Sequence, residues 1–150
     1  FSYNNSPFQI LIFLIFIQII MGAFVSGLDA GKIYQTWPLM GNNYLPNDIF
    51  VSKIKDVLEF NNHSLVQFYH RNLAYLITIY VLFLSFFIFK NKIYNLYKAL
   101  KILIFFLFLQ VILGIVTLVS GLNIYLASMH QITSVLLVFS ALNLYYLRSK

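Results

Sequence analysis

Four uninterrupted apolar stretches, each about as long as a bilayer is thick, leave this chain little choice of fold. They cover residues 8–28, 65–89, 102–120 and 124–147. An α-helix needs roughly 20 residues to cross a hydrocarbon core of about 30 Å, and each stretch is close to that length. In lipid every backbone N–H and C=O must be satisfied within the protein, so only helices and closed barrels span. Barrel strands would be about half as long and would alternate polar with apolar residues; these stretches do neither. The expected fold is an all-α membrane protein, a single four-transmembrane-helix bundle over 1–150. Charged residues are only 9% of the chain and hydrophobic ones 61%. A soluble domain carries about a quarter charged residues, so a soluble reading is excluded.

The connections set the orientation. The segment 90–101 carries Lys90, Lys92, Lys98 and Lys101 with no acid, and the C-terminus adds Arg148 and Lys150. In the long loop over 29–64 and the residues after it, Lys32, Lys53, Lys55 and Arg71 are offset by Asp29, Asp48, Asp56 and Glu59. Loops rich in Lys and Arg stay on the cytoplasmic or matrix side. Both termini and the Lys-rich loop are therefore expected inside, and the long loop outside. The net charge of +6 is read as this topology signal and as contact with lipid, not as a nucleic-acid surface. Tyr94, Tyr97, Tyr145 and Tyr146 would form an inner aromatic belt, with Tyr34, Trp37 and Tyr69 near the outer face.

The long loop begins turn-rich, with Gly31, Pro38, Gly41 and Pro46. Its second part, 47–60, sets Ile49, Phe50, Ile54, Val57 and Leu58 among Lys and Asp, the pattern of a short amphipathic interfacial helix. The chain has no cysteine, which excludes disulfides and thiolate metal sites within it. It opens on Phe1, and its first apolar run is too long for a signal-peptide core and lacks a basic flank. That suggests a fragment whose natural start lies upstream.

An internal echo links the two halves. Gln18-Ile19-Ile20-Met21-Gly22 in the first span resembles Gln110-Val111-Ile112-Leu113-Gly114 in the third, and each is followed in the next span by one histidine near its outer end. The chain reads as two related helical hairpins.

Those histidines are the candidates for chemistry. Ionisable groups inside a bilayer are costly and are usually retained for a function. Counting back from Lys90 and Arg148, His70 and His130 stand about 30 Å and 27 Å above the inner boundary, at nearly one depth on two spans of the same direction. Small residues surround them: Ala74, Ala127, Ser134, Gly22, Ser26 and Gly114. Small residues leave room for a flat macrocycle between helices, and two neutral imidazoles can ligate a heme iron. They also serve ordinary close helix packing, and a buried histidine is equally explained by a hydrogen bond to a neighbouring helix. A two-histidine zinc or copper site lacks supporting carboxylates or thiols. His63, in Asn61-Asn62-His63-Ser64, reads as a solvated loop residue. Arg71 suits a heme propionate or snorkels to headgroups. Gln18 and Gln110 are accounted for by interhelical hydrogen bonds. Trp37-Pro38 either covers a cofactor or anchors the interface.

Taken together, the blocks resemble heme A synthase. The likeness runs from Gln18 through Met21-Gly22-Ala23-Phe24-Val25-Ser26-Gly27-Leu28-Asp29-Ala30-Gly31 and Tyr34-Gln35-Thr36-Trp37-Pro38-Leu39-Met40. It continues through Val66-Gln67-Phe68-Tyr69-His70-Arg71, the block 110–118, and Leu126-Ala127-Ser128-Met129-His130-Gln131. These blocks are similar in order and spacing to the family's C-terminal four-helix half. The resemblance implies an eight-helix protein of two such bundles, in a bacterial cytoplasmic or mitochondrial inner membrane. It implies an oxidoreductase that converts the C8 methyl of heme O to the formyl of heme A for cytochrome c oxidase assembly. His70 and His130 match the two ligand positions for heme B, with Arg71 beside them. The implied partners are the N-terminal catalytic half of the same enzyme, an electron donor and heme O synthase. In the family's N-terminal half a glutamate stands three residues before the first histidine; here that position is Gln67, so this half alone is expected to lack the complete active site. The competing reading is a stand-alone bis-histidine b-type membrane cytochrome that carries electrons.

Overall fold

A computed structural model describes residues 5–48, 56 and 59–150. Four helices make the bundle: α1 (Ser6–Gly27), α2 (His63–Lys90), α3 (Tyr97–Val119) and α4 (Ile124–Ser149). All four are long and apolar enough to cross a membrane, and there is no strand among the described residues beyond one isolated bridge, Met40 to Asn43. The amphipathic segment expected around Ile49, Phe50, Ile54, Val57 and Leu58 lies outside the described residues.

Three helices begin earlier than their apolar stretches, α1 by two residues at Ser6. α2 starts at His63, because Asn62 caps it by accepting a hydrogen bond from the Leu65 amide at 3.0 Å. His63 thus heads a helix instead of sitting in a loop, though it remains exposed as expected. α3 starts at Tyr97, after a 3₁₀ turn at Tyr94–Leu96, and so takes Lys98 and Lys101 into its first turns. Lysine stems lie along apolar surface while their ammonium groups reach water, so these charges cap the span without ending it. α4 is capped by Asn123, whose side chain accepts from the amides of Tyr125 and Leu126.

α3 packs chiefly on α4, α1 on α2, and α1 also on α4, closing two antiparallel hairpins into one bundle. The main cluster of buried apolar side chains occupies one end. Phe8, Leu11 and Ile15 meet Ile77, Val81, Leu84 and Ile88, with Leu96, Leu100, Leu103, Leu107, Leu137, Ala141 and Leu144 filling the rest. These residues come from the start of α1 and α3 and the end of α2 and α4. Tyr80 Oη donates to the Pro7 carbonyl at 2.9 Å, and Gln9 Nε2 to Tyr145 Oη at 3.2 Å, tying the same end together. The other end, toward the long loop, has buried residues of its own outside that cluster, among them Ala30, Met40, Leu65 and Val66. Both histidine-bearing segments lie there.

Candidate functional site

His70 is seven residues into α2 and His130 six into α4, roughly 10 and 9 Å below their N-terminal ends. The depth matching expected from the charges therefore holds in the fold. Each ring leans on the preceding helix of its own hairpin. Gln18 and Gly22 are four residues apart, as are Gln110 and Gly114, so each pair shares one helix face. In the first hairpin Gln18 Nε2 lies 3.4 Å from His70 Nε2 and donates to the His70 carbonyl at 3.1 Å. A Cβ added at Gly22 would stand 3.2 Å from His70 Cε1. In the second, Gln110 Nε2 lies 3.3 Å from His130 Nε2, and a Cβ at Gly114 would stand 3.0 Å from His130 Cε1. Thr133 Oγ1 donates to Gln110 Oε1 at 2.5 Å. The echo in the sequence is thus an echo in space: an amide and a glycine notch hold one imidazole in each hairpin.

This end of the bundle also gathers buried polar atoms that find no partner in the protein. They include Gln18 Oε1, Gln67 Oε1, His70 Nδ1, Arg71 Nε, Thr117 Oγ1 and His130 Nδ1. Buried polar groups are normally satisfied, and each orphan costs on the order of 1–3 kcal/mol. These atoms gather around the two histidines, away from the main apolar cluster, and make this end the candidate site.

The long loop is fastened over the same end. Arg71 donates from Nη1 to the carbonyls of Thr36 (2.8 Å) and Leu39 (3.3 Å), and from Nη2 to that of Tyr34 (2.8 Å). Gln67 Nε2 reaches the same Tyr34 carbonyl at 2.8 Å. These bonds hold the segment containing Trp37-Pro38, whose peptide bond is cis. Asp48 accepts from Tyr34 Oη at 2.8 Å and from Ser64 Oγ at 2.5 Å. Burial pushes the Asp48 carboxyl up, but the two hydroxyl hydrogen bonds outweigh it and hold the group below the usual carboxylate range. The Tyr34 phenol is raised by its bond to Asp48, with burial and the carboxylate charge adding to it. Tyr44 Oη donates to Asn72, joining the loop to α2 once more.

His70, His130 and Arg71 therefore share one end of the bundle, while His63 stays on its rim. Gln67, already singled out in the sequence, gains its bond to the loop from the structure, and Thr133 and the pairing of each glutamine with a histidine are additions. The recurrent Gln-x-x-x-Gly was their signal in the sequence. A groove of about 380 Å³ lined by Ile17, Met21, Phe60, Tyr69, Asn72, Leu73 and Leu76 lies on a different face of α2 and includes neither histidine.

A family model described as cytochrome oxidase assembly protein matches residues 7–142. The chain belongs to that family. Among similar curated proteins, the heme A synthase of Pelagibacter ubique is 42% identical over 152 residues, covering 97% of this chain and 44% of that protein. The heme A synthase of a Wolbachia from Brugia malayi is 41% identical, covering 94% of this chain and 41% of its own length. That of Rickettsia africae is 34% identical, covering 92% and 41%. The chain thus spans less than half the length of these relatives. No solved structure matches it.

The residues present fit a bis-histidine heme in this member of the family. Both imidazoles are neutral-capable groups with an unpartnered ring nitrogen, each set in a notch that any side chain at Gly22 or Gly114 would invade. Among the described residues no three His, Cys, Asp or Glu gather as a metal-ion site; axial ligation of a heme asks for two.

Proposed function

We propose that this chain is the heme-B-binding C-terminal half of a heme A synthase, in which His70 and His130 would hold the heme iron. The observation that carries the reading is the mirrored pair of imidazoles, each with an orphaned Nδ1, at the end of the membrane bundle opposite the main apolar cluster. The heme, when bound, supplies a one-electron redox centre. The chain's own residues do the rest. The two hairpins bring the imidazoles to a common depth. Gly22 and Gly114 keep the rings from being displaced. Arg71 and Gln67 hold the outer loop over the site, and Arg71 Nε remains available to a propionate.

In the whole protein, this half would pass electrons to or from an N-terminal half that oxidises the C8 methyl of heme O to the formyl of heme A. Heme O synthase would supply the substrate, in a bacterial cytoplasmic or mitochondrial inner membrane. Gln67 supports this division of labour. Its amide donates to the Tyr34 carbonyl, and a carboxylate there would face that oxygen with a negative charge. The position suits a loop fastener, not an acid or base.

The test is spectroscopic. Purified wild-type protein loaded with heme B is expected to give a low-spin, six-coordinate b-type spectrum. His70→Ala and His130→Ala should each lose it, and His63→Ala should not. Cells expressing this chain without the other half should yield no heme A above an empty-vector control. A folded His130→Ala protein with an unaltered low-spin spectrum overturns the ligand assignment.

A further inference from the structure

Gly31 and Leu122 meet across the two hairpins. The long loop leaves α1 through a 3₁₀ turn, Ala30–Lys32, that packs on both α1 and α2. Ala30 is fully buried there, and Gly31 is buried beside it. No left-handed backbone explains the glycine at 31, since the positive φ angles among the glycines belong to Gly41 and Gly121. What it supplies is space for a close approach. An added Cβ would stand 3.0 and 3.3 Å from the two methyl groups of Leu122. Leu122 lies in the turn between α3 and α4, so the contact joins the first hairpin to the second.

The backbone brings Leu122 to this contact. α3 ends at Ser120 with Gly121 left-handed behind it. The Leu122 amide donates to the Thr117 carbonyl at 2.9 Å, and the Gly121 amide to that of Leu118 at 3.3 Å. Such a helix ending needs one left-handed residue. The turn after α2 has a single one, Lys92 at φ 50°, followed by Ile93 at φ −80°. After α3 there are two, because Leu122 is left-handed as well, at φ 63°. An L side chain adopts that conformation at a cost, and here its side chain lies on Gly31.

We infer that Gly31 and Leu122 form a strap, a pair of positioning residues that hold the two hairpins together at the histidine end. At the opposite end the main apolar cluster joins all four helices. Toward the strap, each imidazole leans on a helix of its own hairpin, His70 on α1 and His130 on α3. The distance between the rings therefore follows the distance between the hairpins. One iron bound by both rings fixes that distance. On the heme reading above, on which this role rests, the strap keeps the empty site at the spacing the ligand needs, so that binding does not have to bring the hairpins together. Gln35 flanks the same turn, its Oε1 3.9 Å from where a Cβ at Gly121 would stand.

The experiment has a heme-free arm and a heme arm. The chain has no cysteine, so spin labels can be placed in pairs on exposed positions. Ser26 with Tyr125 spans the hairpins at the histidine end, and Ile10 with Leu142 spans them at the opposite end. In heme-free protein in lipid, wild type is expected to give a narrow distance distribution for both pairs. Leu122→Ala, which empties the contact, and Gly31→Ala, which overfills it, should each broaden the first pair and leave the second unchanged. The double variant puts a methyl group into the space the leucine vacates and should narrow the first pair again. Such rescue is the mark of two positions in direct contact. Loaded with heme B, each single variant should lose heme several-fold faster than wild type and gain a high-spin fraction, and the double variant should recover. Unchanged distances in both single variants overturn the strap. Broadened distances with wild-type heme retention and spin state overturn its positioning role while the heme reading stands. Broadening and rescue in protein that takes up no heme keep the strap and overturn the heme reading.

Discussion

Gly114 leaves His130 its place by a few tenths of an ångström. A methyl group there would sit 3.0 Å from Cε1 and within 3.6 Å of both ring nitrogens, whereas Gly27 has nothing within 4 Å. Replacing a helical glycine by alanine gains up to about 1 kcal/mol in helix propensity. Overpacking a filled site costs about 1–3 kcal/mol. Gly114→Ala is therefore expected to be near neutral to mildly destabilising in a thermal melt, yet to weaken heme uptake several-fold because the ring must move. Gly114→Leu should abolish uptake, and Gly27→Ala should change neither property. A Gly114→Leu protein with wild-type heme affinity would show that His130 does not work from this notch. At this scale the histidines were legible in the sequence, because an ionisable group in an apolar span stands out on composition alone. Thr133 was not, since a hydroxyl in a helix is satisfied by its own carbonyls and gives no sign of what else it touches. Here it reaches Met129 and His130 carbonyls as well as Gln110.

The first three turns of α2 act as a fastener for the long loop. Arg71 spans three carbonyls, Gln67 shares one of them, and Ser64 joins Tyr34 on Asp48. Arg71→Ala is expected to raise hydrogen exchange at residues 34–41 with α3 and α4 unaffected, and Arg71→Lys should restore little. A single ammonium cannot reproduce a planar fork set on separate acceptors. The Asp48 contact adds a pH dependence. Its folded carboxyl sits below its ordinary value, so its contribution is fully present above about pH 4 and is lost as pH falls through the lower, folded value. Proteolysis within the outer loop should thus be constant from pH 7 to about 4.5 and rise below that, and Asp48→Asn should show the fast rate throughout. Cleavage of wild type rising already near pH 6 would assign the effect to another group. The sequence marked a turn-rich loop and a basic residue beside it. It could not show the fastener, because side-chain bonds to backbone carbonyls have no residue-type signature on the accepting side. Arg71 was read as a choice between propionate and headgroup, and its main partners prove to be carbonyls of its own chain.

At the scale of the whole molecule, the bilayer explains why so much of the fold could be read in advance: it removes strands, loops and unpaired backbone from the possibilities within the span. The span ends were less legible, as Lys98 and Lys101 inside α3 show. That the main apolar cluster would sit at the end away from the histidines was not legible at all, since Leu, Ile and Phe fill both ends. Antiparallel packing makes the topology all-or-none: the starts of α1 and α3 and the ends of α2 and α4 lie at the end with that cluster, the outer loop and Gly121 at the other. One labelled site therefore orients every helix. Lys90, Lys92, Lys98, Lys101, Arg148 and Lys150 all belong to the cluster end, whereas Lys32 at the histidine end is paired with Asp29 at 2.9 Å. The positive-inside rule predicts that the positive end stays on the cytoplasmic or matrix side, which would put the histidine pair in the outer half of the membrane. The chain has no cysteine, which makes a single introduced thiol unambiguous. Asn43→Cys should react with a membrane-impermeant maleimide in intact cells or mitoplasts, and Lys92→Cys only after the membrane is opened. Labelling of Lys92→Cys from outside would invert the topology and place the histidines on the inner side.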